Sequence, residues 1–264
     1  MNEEYKSMQV NDVWELVPLA DGVRPIGSKW IFVTKRDSNG NMERYKARLV
    51  AEGFTQKEGI DYKETFSPVS SKDSFRTILA LVAHFDLELH QMDDKTAFFN
   101  GDIEETIYTT KPENFVSKDA ENMVCKLKKS IYGLKQASRQ WYFKFHQIVV
   151  SHGFEANSMD ECVYHKFCGC RHIFLVLYVD DIILATNDVT MLEDTKSFIS
   201  KHFEMKDFGD ASFVLEIQIH RDRLRGILGL SQRNYIEKVL SRFGMQTCRP
   251  LDTPVAKGDK FSLK

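Results

Sequence analysis

The chain has 264 residues, 42% hydrophobic and 28% charged, with a net charge of −2, an ordinary balance for a globular chain with one large core or two smaller ones. The longest apolar run, Ile173 to Val179, is far shorter than the roughly 20 residues of a membrane-spanning helix, and MNEEYKSMQ lacks the charged and apolar blocks of a signal peptide. Five scattered cysteines, an odd number, argue for a reducing compartment over a disulfide framework, so cytoplasm or nucleus is expected.

The first strong signal along the chain is KWIFVTKRDSNGNMERYKARLV, which predicts two strands around a Ser-Asn-Gly turn, Lys29 to Lys35 and Met42 to Val50 each alternating with period two. Alternation puts Arg44, Lys46 and Arg48 on one face and leaves Tyr45, Ala47 and Leu49 to pack on the other. Three cations on one strand face either cover solvent or grip a polyphosphate. A helix is predicted from a cap at Asp73 to about Leu87, with Phe75, Ile78, Leu79, Val82 and Phe85 as its stripe. LELHQMDD then reads as a strand with Leu87, Leu89, Gln91 and Asp93 on one side and Glu88, His90, Met92 and Asp94 on the other.

From Lys126 to Lys144 there are six basic residues and no acidic one, interleaved with Tyr132, Trp141, Tyr142 and Phe143. Arg221 to Arg249 holds seven more against Asp222 and Glu237. Either run alone reads as a solvated face; together, with their aromatics, they favour a polynucleotide partner. A second helix is predicted from about Ser138 to Ser151, stopping before Gly153, with Trp141, Phe145, Ile148 and Val149 aligned.

Cys162, His165, Cys168, Cys170 and His172 can be read as a zinc site or as a β-hairpin turning at Cys-Gly-Cys; the Cys-x-Cys spacing favours the hairpin. The hairpin runs into FLVLYVDDIILAT, where Asp180 and Asp181 sit inside the most apolar stretch of the chain. Adjacent carboxylates there need a turn that lifts them into water or cations that meet them. A third helix is predicted over about Thr190 to His202, and a last one from Ser231 to Gly244 aligns Ile236, Val239, Leu240 and Phe243 as a core-facing stripe. A strand ending in Asp93 and a hairpin turning at Asp180-Asp181 can place three carboxylates at one sheet edge, a donor set suited to paired divalent ions acting on phosphate.

MDDKTAF, YGLKQA, YVDD, EMKDFGD and LSQRNYIEKVL occur in one order across nearly the whole chain. On these motifs the sequence resembles the reverse transcriptase domain of Ty1/copia-type LTR retrotransposon Pol polyproteins, particularly those of plants. The resemblance implies an α+β right-hand polymerase fold, with a fingers hairpin, a palm of antiparallel sheet with flanking helices, and a partial thumb. The expected division is about 1–90 and 105–155 for fingers and palm insert, about 86–104 and 156–222 for the palm core, and 223–264 towards the thumb.

It also implies RNA-directed DNA polymerase activity on an RNA or DNA template with primer and dNTP, with two Mg²⁺ ions that Mn²⁺ can replace. Asp93, Asp180 and Asp181 are the implied catalytic carboxylates and metal ligands. Phe98 matches the aromatic that excludes a ribose 2′-hydroxyl, Gln136 the glutamine beside the incoming nucleotide, and Arg44, Lys46 and Arg48 the basic strand near the triphosphate. The implied setting is a virus-like particle in the cytoplasm, or the nucleus, with no membrane partner. No protease, integrase or RNase H segment is recognisable, so a fragment of a longer reading frame is expected.

Three positions depart from the family pattern: Asp94 for an apolar residue, Glu216 for a glycine and Phe99 for a leucine. A carboxylate at Asp94 either destabilises or finds a partner, and Glu216 crowds a segment resembling the primer grip. The resulting expectation is a chain that folds but polymerises poorly or not at all, with a catalytically impaired fragment that keeps nucleic-acid binding as the alternative. The carboxylates alone also fit a metal-dependent phosphodiesterase, which would need neither Phe98 nor Gln136.

Overall fold

The computed structural model describes residues 1–36, 42–115 and 122–249; the expected Ser38-Asn39-Gly40 turn lies outside them. The chain divides into two compact units, Met1–Ala211 and Ser212–Lys264, so the cut falls inside the expected palm core. Among the described residues no helix is long and apolar enough to cross a membrane.

The first unit runs α1 (Asn2–Val10), β1 (Trp14–Pro18), β2 (Ser28–Arg36), β3 (Met42–Ala51), α2 (Lys72–Phe85), β4 (Glu88–Asp94), β5 (Tyr108–Thr109) and β6 (Met123–Leu127). It continues with α3 (Ala137–Ser151), β7 (Glu155–Ala156), β8 (Val163–Cys168), β9 (Arg171–Tyr178), β10 (Asp181–Thr186), α4 (Val189–His202) and β11 (Met205–Asp210). Its centre is a six-stranded antiparallel sheet in the order β11-β4-β10-β9-β8-β7. The β2–β3 hairpin stands apart from it, and β1, β6 and β5 form a small third sheet.

Sheet alternation sends Met92, Leu175, Leu177, Ile182 and Leu184 into one core with Trp141, Phe145 and Val149 of α3 and Leu192 and Ile199 of α4. Each such side chain contributes on the order of 2 kcal/mol by burial. Ile183 and Ala185 of β10 are buried on the other face, where α2 packs. A central strand covered on both faces has no polar side, which is why FLVLYVDDIILAT reads as a continuous apolar run.

Helix boundaries follow local chemistry. The cap of α2 is Ser71, whose Oγ accepts from Ser74 N at 3.0 Å, and not Asp73, which sits in the first turn. Phe85, expected in the α2 stripe, is 59% exposed because it lies on the last residue, next to the left-handed Asp86. Asp188 caps α4 through Met191 N at 2.7 Å. Tyr45, expected to pack, is 74% exposed on the β2–β3 hairpin, whereas Ala47 and Leu49, nearer the body of the unit, are buried.

The second unit holds β12 (Phe213–Val214), β13 (Ile217–Asp222) and β14 (Ile227–Ser231) in one antiparallel sheet, followed by α5 (Arg233–Arg242). The α5 stripe is not a core face: none of its residues is buried, because three short strands offer little apolar surface to cover it. Its N-cap is Gln232, with Ser231 Oγ accepting from Arg233 N at 3.3 Å.

Candidate active site

The β9–β10 hairpin turns through Val179 and Asp180, and Val179 takes φ 58°, a left-handed conformation that a β-branched residue adopts only under constraint. Two bonds supply the constraint. Trp141 Nε1 donates to Val179 O at 2.6 Å, and Asp94 N donates to Asp180 O at 3.0 Å. The turn is thus held by α3 on one side and β4 on the other.

On the sheet, Asp181 is the direct cross-strand partner of Asp93, and Lys206 of β11 is the partner of Asp93 on its other side. The structure therefore brings Asp93, Asp180 and Asp181 to one end of adjacent strands. Burial, then repulsion from Asp180 and Asp181, pushes the Asp93 carboxyl up to about 6, while Lys46 and Lys206 oppose the rise. Burial likewise raises Asp181, against a hydrogen bond from Gln91 Nε2 to Asp181 Oδ1 at 2.9 Å. The oxygens of the three acids do not all lie within 4.8 Å of one another, as expected of like charges packed side by side.

A cleft of about 310 Å³ opens beside Asp93, with Glu4, Arg44, Lys46, Lys206 and Phe208 among its lining residues. An adjoining cleft of about 260 Å³ shares Lys46 and adds Arg48, Tyr132 and the apolar Ile31 and Val33. Lys46 is depressed by burial and by Arg48, and Glu4 of α1 is raised by burial beside both cations. Tyr132 joins two of the expected substrate residues: the Arg48 guanidinium lies 4.5 Å over its ring, and Phe98 meets it edge-on at 4.8 Å. Gly133 beside it cannot carry a side chain, since a Cβ would meet Ala51 O at 2.2 Å.

Gln136 is placed differently from the other expected residues. It is 1% exposed and faces neither cleft; its Nε2 donates to Asp61 O at 2.9 Å and its Oε1 accepts from Gln56 Nε2 at 3.0 Å. The basic run from Lys126 to Lys144 is also largely neutralised. Lys128 pairs with Asp12 and Glu15, and Lys129 and Lys144 pair with Asp102. Asp94 has found partners: it is 2% exposed, accepts from Thr96 N at 2.7 Å and Asn100 Nδ2 at 3.1 Å, and is pushed by burial to about 7.

The Cys/His group forms the hairpin. Cys162 is buried in the core, while Cys168 and Cys170 are exposed at the β8–β9 tip, where Gly169 turns with φ 64°. Among the described residues Glu88, His90 and Asp210, at the far end of β4, are the group of three whose ligand atoms all lie within 4.8 Å of one another. There the Lys196 ammonium donates to His90 Nδ1 at 2.7 Å, leaving Nε2 as the protonated nitrogen facing Asp210 Oδ1 at 3.2 Å. A metal-ligating histidine needs an acceptor behind it, so this group is a hydrogen-bonded network around Lys196, which also pairs with Asp207.

The sequence profile described as "Reverse transcriptase (RNA-dependent DNA polymerase)" matches residues 11–257. The chain belongs to the reverse transcriptase family. It is 48% identical over its full length to the retrovirus-related Pol polyprotein from transposon TNT 1-94 of Nicotiana tabacum, covering 20% of that protein. It is 38% identical, again over its full length, to that from transposon RE1 of Arabidopsis thaliana, covering 18%. This reverse transcriptase domain thus spans about a fifth of the length of these two relatives, which are Ty1/copia-type plant elements. Among solved structures, telomerase from Candida albicans in complex with a fragment of telomeric RNA aligns with TM-score 0.40 and 11% identity, covering 84% of this chain and 50% of that one.

Around the acids and cations, Lys206 had no expected role, and Gln91, Trp141 and Tyr132 stood out in the sequence only as a strand position, a helix-stripe residue and an aromatic within the basic run. Gln91 bonds to Asp181, Lys206 is a cross-strand partner of Asp93, Trp141 bonds to the turn backbone at Val179, and Tyr132 lies under Arg48. Only Gln91 carried a local signal pointing to the acids, its place two residues before Asp93.

Proposed function

We propose that this domain extends a primer 3′-hydroxyl with dNTPs on an RNA or DNA template, using Mg²⁺, with Mn²⁺ as a substitute. The observation that carries the reading is the register that sets Asp93 against Asp181, with Asp180 in the adjoining turn and the cationic β3 face lining the same cleft. In this reading the β2–β3 hairpin acts as fingers, the six-stranded sheet with its helices as palm, and the segment from Ser212 leads towards the thumb. RNase H and integrase functions belong to the rest of the polyprotein.

The donor set suits hard divalent ions: three carboxylates, no soft ligand, and an Asp93 raised first by burial and then by the charges of its neighbours. Asp93 and Asp180, with Asp181 beside them, would hold the cations, which supply Lewis-acid stabilisation of the phosphate and acidify the primer hydroxyl. The remaining work belongs to the chain. Arg44, Lys46 and Arg48 orient the triphosphate, Tyr132 braces Arg48 and Phe98, and Phe98 closes the sugar site against a 2′-hydroxyl. Gln136 acts indirectly, holding the Gln56 and Asp61 loop. Positioning and electrostatics account for most of the rate in phosphoryl transfer of this kind.

Primer extension on poly(rA)/oligo(dT) tests the proposal. Mg²⁺-dependent dTTP incorporation that disappears in Asp180→Asn is the expected result; incorporation unchanged by that substitution refutes it. A second reading, template binding without extension, is favoured by one observation: Leu215 and Glu216 both take positive φ, 53° and 62°, in the β12–β13 turn. Salt-sensitive template-primer binding with no incorporation selects it.

A further inference from the structure

Gln91 precedes Asp93 by two residues on β4 and so shares its sheet face. That face is otherwise apolar at this level: Leu89 on the same strand and Ile183, the cross-strand partner of Gln91, are buried. An aliphatic side chain would fill the position without the desolvation cost of an amide. Gln91 is nevertheless 8% exposed, and its Nε2 reaches diagonally to Asp181 Oδ1 at 2.9 Å. Among the described residues no side chain donates a hydrogen bond to Asp93 or Asp180, so the donor distinguishes one acid of the three.

We propose that Gln91 is a positioning residue that holds Asp181 on the sheet face it shares with Asp93, presetting the acid pair to take a divalent cation and thereby setting cation affinity. The inference rests on the reading of the three acids as cation ligands. Unanchored, adjacent carboxylates repel and rotate apart. With one oxygen of Asp181 tied to Gln91, the cation meets a group whose side-chain freedom has already been restricted, as the hydrogen-bonded partners of metal ligands do elsewhere.

The test is Mn²⁺ binding followed by electron paramagnetic resonance on the full chain, without nucleotide or nucleic acid. Gln91→Met removes the donor at nearly constant volume and is expected to weaken Mn²⁺ binding by about tenfold or more, with the metal-free melting temperature little changed. Asp93→Asn is the reference. If Gln91→Met binds like the parent while Asp93→Asn does not, the Gln91 inference fails and the reading of the acids stands. If Asp93→Asn also binds like the parent, the reading of the acids fails and takes Gln91 with it. Should the methionine variant not fold, Gln91→Asn, which withdraws the amide by one methylene, is read by the same criteria.

Discussion

Asp94 is buried next to Asp93, and its protonation couples stability to pH. Its carboxyl is pushed from 3.8 to about 7, burial being the largest cause, and its bonds to Thr96 and Asn100 offset only part of that penalty. Because the folded-state pKa lies above the unfolded one, the stability linked to this proton is fully present below about 4 and is lost as pH rises through about 7. At about 1.36 kcal/mol per unit, the parent loses about 2–3 kcal/mol from this group between pH 5 and pH 8. Asp94→Asn keeps an acceptor for Thr96 N and cannot ionise. Urea unfolding of both proteins at pH 5 and pH 8 is therefore expected to show a gain for the variant that is larger at pH 8 by that amount. Groups not coupled to Asp94 are common to both proteins and cancel in the difference, while relief of the repulsion between Asp94 and Asp93 adds to the variant's gain at pH 8. An advantage that does not change with pH would falsify the assignment of a displaced pKa to Asp94.

The β12–β13 turn gives a second expectation: Glu216→Gly removes a left-handed strain of about 1–2 kcal/mol, so the denaturation midpoint should rise. A lower midpoint would show that Glu216 makes a contact outweighing its backbone cost. If the turn also limits primer placement, the same variant extends primers faster than the parent. For Phe98→Ala, the ratio of dTTP to rUTP incorporation should fall by about tenfold or more, since the sugar site loses the ring braced on Tyr132. An unchanged ratio removes Phe98 from sugar discrimination.

Much of the site was legible in one dimension because its parts obey local rules. Period-two alternation alone grouped Arg44, Lys46 and Arg48, and separated Asp93 from Asp94. The Cys-Gly-Cys turn was readable because Gly169 supplies the left-handed backbone that a tight hairpin demands, whereas the turn expected at Asp180-Asp181 falls one residue earlier, on Val179 and Asp180, with Asp181 opening β10. The α3 stripe was readable because Trp141, Phe145 and Val149 recur with the helical period.

What failed to read out depended on partners distant along the chain. The basic run after Lys126 looked free until Asp12, Glu15 and Asp102 met it. Gln136 matched a nucleotide-facing glutamine by motif, yet its amide is committed to Gln56 and Asp61. The α5 stripe has helical periodicity but little opposite it to pack against, because periodicity describes a face and not its cover.

By itself the order of residues marked the β2–β3 hairpin, the helices α2 to α5 to within a few residues, and three acids as candidates, since those follow from dihedral preferences and from spacings a few residues long. Tertiary structure alone decided that Asp93 faces Asp181, that Gln91 anchors one acid while Lys206 flanks another, and that Asp94 is buried with donors. The physical reason is that hydrogen bonding, burial and charge act through space, and their strength is set by separations the linear order does not contain.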